Sequence, residues 1–111
     1  MAARSVPKKT KMNKFNDIIN SENPVLVDFF ATWCGPCQML SPVLKLVKDN
    51  LGERITIIKI DVDKNQELAS QYQDRSVPTM MLFKEGKQLW RQSGVLSKEE
   101  IIRIILDKTN K

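Results

Sequence analysis

The tightest constraint on this chain lies in one junction: the apolar run Val25-Leu26-Val27-Asp28-Phe29-Phe30 leads directly into Ala31-Thr32-Trp33-Cys34-Gly35-Pro36-Cys37-Gln38. A nearly continuous apolar run of six residues reads as a central strand covered on both faces. Leu40, Val43, Leu44 and Val47 then follow at helical spacing, so the junction is strand, tight turn, helix. The only two cysteines of the protein stand at that helix start. Free backbone N–H groups and the helix dipole there favour a thiolate at Cys34, which is expected to be the more exposed of the pair. Cys37 falls within about one helical turn, close enough to close a disulfide with it. Pro36 occupies a position where the helix has no N–H to lose, and Gly35 leaves the backbone open to an approaching partner. These residues describe a dithiol that can be oxidised, reduced and exchanged. A static disulfide is the structural alternative, and half of a zinc site is the metal alternative. A zinc site needs about four ligands, and the chain offers two Cys and no His.

Two charges interrupt otherwise apolar strands. Asp28 sits between Val27 and Phe29, which argues against an acid at a fraying strand end. An isolated carboxylate there loses its hydration, so its pKa rises and it can exchange protons near neutral pH. Lys59 lies in the next β-branched run, Ile55-Thr56-Ile57-Ile58-Lys59-Ile60; on its own it also reads as a surface lysine on an exposed strand face.

The remaining segments follow from local signals. Phe15, Ile18 and Ile19 have helical spacing, with Asn13 as a cap and Pro24 marking the exit. Pro42 falls inside the helix that begins at Cys34 and is expected to kink it; Gly52 is expected to stop it. Asp61, Asp63 and Lys64 read as turn and helix-start residues before a short helix carrying Leu68, Ala69 and Tyr72, because the distal glutamate and glycine of a calcium loop are missing. Asp74 to Thr79 introduces the strand Met80–Phe83, and Lys84-Glu85-Gly86-Lys87 turns it into an antiparallel partner, Gln88–Ser93. Ser97-Lys98-Glu99-Glu100 is a capping box, opening a helix whose Ile101, Ile102, Ile105 and Leu106 should face the core.

Trp33-Cys34-Gly35-Pro36-Cys37 is the signature of the thioredoxin family, which the chain resembles from about Phe15 to Asn110. The resemblance implies a three-layer α/β fold, a mixed central sheet of four or five strands with helices on both faces. It implies a thiol–disulfide oxidoreductase acting on protein substrates: Cys34 the nucleophile, Cys37 the resolving thiol, Asp28 the buried proton acceptor six residues before Cys34. Lys59 would hydrogen-bond and moderate that acid. Val77-Pro78-Thr79 matches the family loop in which the proline is cis, leaving the backbone of Val77 free to pair with an extended substrate. Gly94 would lie beside the active site, and Trp33, Gly35, Pro36, Val77, Pro78 and Gly94 would form the substrate surface. Family members carry no cofactor of their own; electrons would come from NADPH through a separate flavin-containing thioredoxin reductase. Many members place a strand before the first helix, but residues 1–12 show neither alternation nor β-branched enrichment, so that strand is expected to be absent or very short. Phe30 stands where a tryptophan is common, Met80 and Met81 where leucines are; Trp90 is unusual and expected to be partly exposed.

A chain of 111 residues with 41% hydrophobic and 28% charged residues is one domain with an ordinary core. The net charge of +5 is carried by Arg4, Lys8, Lys9, Lys11 and Lys14, ahead of the first acid, Asp17; from Phe15 onward 13 basic residues meet 13 acidic ones. Residues 1–12 therefore read as a flexible basic tail and residues 13–111 as the domain, with no nucleic-acid face expected. No apolar run approaches the roughly 20 residues of a membrane span, and the basic start has no apolar stretch behind it as a secretory signal requires. A monomer in a reducing, cytoplasmic setting is expected, where such a pair is catalytic. Two rival functions share these residues: the same chemistry run as an oxidant or isomerase, and a binding module for which turnover is incidental.

Overall fold

The computed structural model describes residues 11–73 and 76–110. The order of elements is α1 (Lys11–Ile19), β1 (Val25–Phe30), α2 (Gly35–Leu51), a 3₁₀ turn (Gly52–Arg54), β2 (Thr56–Asp61), α3 (Gln66–Gln71), β3 (Thr79–Lys84), β4 (Lys87–Ser93) and α4 (Lys98–Thr109). The basic tail and the question of a strand ahead of α1 lie mostly outside the described residues, as do Asp74 and Arg75. Since α1 already includes Lys11, Asn13 lies within the helix and does not cap it.

The four strands form one mixed sheet in the order β2-β1-β3-β4, with β1 parallel to β2 and antiparallel to β3. Alternation along β1 divides the molecule into two cores. Leu26 shares one with Leu40, Leu44 and Val47 of α2 and with Ile101 and Ile105 of α4. Val25, Val27 and Phe29 share the other with Phe15 and Ile19 of α1 and Leu68 of α3. Helices thus cover both faces, which is why β1 can be apolar on both apart from Asp28. On the second face Phe15 meets Phe83 edge-on at 5.8 Å and Tyr72 at 5.4 Å between ring centroids.

Helix α2 runs unbroken through Pro42, although the ring removes the donor that would have met the carbonyl of Gln38. It ends at Gly52, whose φ of 60° and N–H bond to the carbonyl of Lys48 close the last turn. The capping box of α4 is complete: Ser97 Oγ accepts from the Glu100 N–H at 3.1 Å, and the Glu100 carboxylate accepts from the Ser97 N–H at 3.0 Å. That hydrogen bond holds the Glu100 carboxyl below its usual range.

One packing expectation needs correction. Leu106 of α4 is exposed, not core-facing, as is Ile18 of α1; each lies beside a residue that already fills the seam, and the seam is narrower than the apolar stripe. Trp90 is partly exposed, as expected, and the β3–β4 pair shifts register between Leu82 and Phe83. A bulge there puts both Leu89 and Trp90 against the α2–α4 core, which strict alternation would forbid.

Candidate active site

Cys34 is the N-cap of α2, with extended backbone (φ −94°, ψ 113°). Its Sγ takes the part usually played by a capping oxygen and accepts the N–H of Cys37 at 3.1 Å. The two cysteines form a disulfide with a Cα–Cα separation of 5.3 Å. In this oxidised form both residues are 4% exposed, so the expected difference in exposure is absent. What distinguishes Cys34 is its place at the helix terminus, where the free N–H groups and the dipole act on its sulfur.

The disulfide packs with Ala31 into a small apolar cluster, and Phe30, Val62 and Val77 lie against it. Val77 comes from the far end of the sequence, carried there by the loop that enters β3. The Val77–Pro78 peptide is cis, and Pro78 is buried. Gly94 donates its N–H to the Pro78 carbonyl at 2.9 Å and holds φ at +96°, a conformation that favours glycine. Around this contact Ser76, Thr79 and Ser93 join their hydroxyls: Ser93 Oγ lies 2.9 Å from both Ser76 Oγ and Thr79 Oγ1. The loop at Pro78 and the end of β4 are therefore tied together beside the cysteines.

Gly35 and Pro36 are exposed, and a Cβ built on Gly35 would meet nothing within 4 Å. Trp33 is 71% exposed, yet its orientation is set: the indole N–H donates to Asp63 Oδ2 at 2.8 Å. Sequence reasoning placed Asp63 in a turn and missed this role. No local signal reveals it, because the partners are 30 residues apart and meet only when β2 pairs with β1.

Asp28 is fully buried on the α2 side of β1, the face it shares with Leu26. Neither carboxylate oxygen has a hydrogen-bond partner among the described residues. Burial pushes its pKa up from 3.8 to about 6, against the opposing pull of the Lys59 charge. Asp28 and Lys59 are register partners across the parallel β1–β2 pair. The implied hydrogen bond between them is not made. Lys59 extends to the surface, donates to Ser41 Oγ of α2 at 2.8 Å and lies 5.2 Å from the centroid of the Phe30 ring. An ammonium retains more hydration at the surface than beside a buried acid. A cleft of about 560 Å³ opens there, lined by Phe30, Thr32, Cys37, Gln38, Ser41 and Lys59 among others. Among the described residues no group of three or more His, Cys, Asp or Glu could hold a metal ion, and no helix is long and apolar enough to cross a membrane.

Residues 6–107 match the family model described as Thioredoxin. The chain is 46% identical over 99 residues to Thioredoxin Y2, chloroplastic, of Arabidopsis thaliana, an alignment that covers 88% of this chain and 59% of that protein. It is 43% identical over 98 residues to the bifunctional thioredoxin reductase/thioredoxin of Mycobacterium leprae, covering 88% of this chain and 21% of the fused protein. Among solved structures, a single-substitution mutant of a thioredoxin from Halobacterium salinarum superposes with a TM-score of 0.79 at 39% identity, covering 87% of this chain and 84% of the other. The fold, the sequence match along nearly the whole chain and the disulfide-forming Cys34–Cys37 pair at a helix N-terminus agree: this chain belongs to the thioredoxin family of thiol–disulfide oxidoreductases.

Proposed function

We propose that the protein works in the reducing direction on disulfides of other proteins. The observation that carries this reading is the position of Cys34 as N-cap of α2, with Cys37 one turn on and able to close a disulfide with it. In the reduced form the Cys34 thiolate attacks one sulfur of a substrate disulfide; a Cys34–substrate bond forms, and the other substrate sulfur leaves as thiolate. Cys37 then loses its proton to Asp28 and attacks Cys34 Sγ, releasing the second substrate sulfur. The substrate gains two electrons and the protein is left with the Cys34–Cys37 disulfide.

Asp28 suits the proton step because its pKa of about 6 lies close to working pH. Lys59 modulates it through space. The substrate would lie along Trp33, Gly35, Pro36, Val77, Pro78 and Gly94, a shallow open surface that fits extended polypeptide. Electrons would be restored by NADPH through a separate flavin-containing thioredoxin reductase, a reading supported by the reductase/thioredoxin fusion among the relatives. The protein would act as a monomer without a bound cofactor in a reducing compartment such as the cytoplasm.

The test is turnover of a protein disulfide with dithiothreitol as electron source. Cys34→Ser should abolish it, and Cys37→Ser should accumulate a covalent mixed disulfide with the substrate. Undiminished turnover in Cys34→Ser, or mixed disulfides trapped equally by both variants, would refute the assignment. A reduction potential in the range of strong oxidants, near −120 mV rather than roughly −270 mV, would reverse the direction.

A further inference from the structure

Lys59 and Asp28 face each other across paired strands, yet the lysine bonds elsewhere. Its hydrogen-bond acceptor is Ser41, one helical turn beyond Cys37 on α2. Residues four apart share a helix face, so Cys37 and Ser41 both border the cleft that Lys59 flanks. The hydroxyl thus anchors the ammonium on the same helix that carries the resolving thiol.

We propose that Ser41 is a positioning residue for the dithiol reaction: by accepting the hydrogen bond of Lys59 it keeps the ammonium off the Asp28 carboxylate, leaving that group free to take the proton of Cys37. The proposal rests on the reading of Asp28 as proton acceptor. Among the described residues, Lys59 is the charge that acts on Asp28. Met80 faces Asp28 from β3, α2 carries no charged side chain between Gly35 and Leu44, and its titratable group there is the thiol of Cys37. A direct ion pair would stabilise the carboxylate and make it a weaker base. Anchored at Ser41, the lysine tempers the acid without neutralising its basicity. Phe30 supplies the second hold, since the ammonium lies over its ring.

The experiment follows the Asp28 carboxyl by ¹³C NMR titration in the reduced full-length protein, alongside the pH dependence of mixed-disulfide resolution in single turnover. Ser41→Ala should move the Asp28 midpoint down by about half to one pH unit and slow resolution at neutral pH about threefold. Ser41→Thr, which keeps the hydroxyl, should restore both. Lys59→Met should raise the midpoint and make Ser41→Ala silent in the double variant, because the serine acts only through the lysine. An unmoved midpoint in Ser41→Ala, or a shift that persists without Lys59, overturns the proposal while leaving Asp28 as the acceptor. An Asp28→Asn variant whose resolution profile matches the parent overturns the acceptor reading itself, and the role of Ser41 with it.

Discussion

Replacing Asp28 by asparagine should stabilise the oxidised protein at neutral pH, by an amount that shrinks as the solution is acidified. The carboxyl has a pKa of about 6 in the fold against 3.8 when unfolded. Because the folded value is the higher one, the folded state holds the proton more tightly, and stability falls as pH rises from below 3.8 through 6. At about 1.4 kcal/mol for each unit of pKa difference, the full loss at neutral pH is on the order of 3 kcal/mol. At about pH 4.5 roughly one-third of that loss has been incurred, so some 2 kcal/mol of pH-dependent destabilisation lies between about pH 4.5 and about pH 7.5. Asparagine removes the charge but leaves a buried amide without a partner, at a cost of roughly 1–3 kcal/mol. The net gain at about pH 7.5 is therefore about 1 kcal/mol, whereas its change with pH keeps nearly the whole of that roughly 2 kcal/mol. Guanidinium unfolding of both proteins at several pH values, followed by tryptophan fluorescence, measures this directly. A stability difference that stays constant across the range would refute the reasoning, since a carboxylate that is hydrated in the fold gives no such slope.

Three further outcomes test other parts of the structure. Leu44→Ala removes a buried side chain from the α2–α4 core and should cost about 2–5 kcal/mol in chemical denaturation, with active-site chemistry preserved. Ser97→Ala breaks the capping box of α4 and should cost about 1 kcal/mol, read as a lower unfolding midpoint at unchanged slope. Asp63→Ala releases the Trp33 indole; at this exposed site stability should change by no more than about 1 kcal/mol, while the Trp33 fluorescence anisotropy falls.

The strand Val25–Phe30 was legible residue for residue, because a run apolar on both faces has few other uses and Pro24 and the cysteine turn bound it. The capping box and the hairpin turn were legible for the same reason: their signals are local. Helix faces were less so, since spacing identifies an apolar stripe but not how much of it the sheet covers, and Ile18 and Leu106 fall at its margin. The bulge at Leu89 broke the alternation on which strand faces are read. In the site, the cysteines and Asp28 stood out as chemical anomalies in their own segments. Asp63 and Ser41 did not, because each acquires its partner only through strand pairing, and neither residue type is unusual where it stands.

The strand order β2-β1-β3-β4 has a consequence for how the protein is made. Cys34 and Cys37 follow β1, but Val77, Pro78 and Gly94 arrive with β3 and β4, and the two groups meet only when β1 pairs with β3, as in Val25 with Phe83. Contacts at such separations form late because the intervening loop must first be closed. During synthesis the dithiol therefore emerges before the loop that packs against it. Until the β3–β4 hairpin docks, the two sulfurs lack the cover that Val77 gives them in the finished fold.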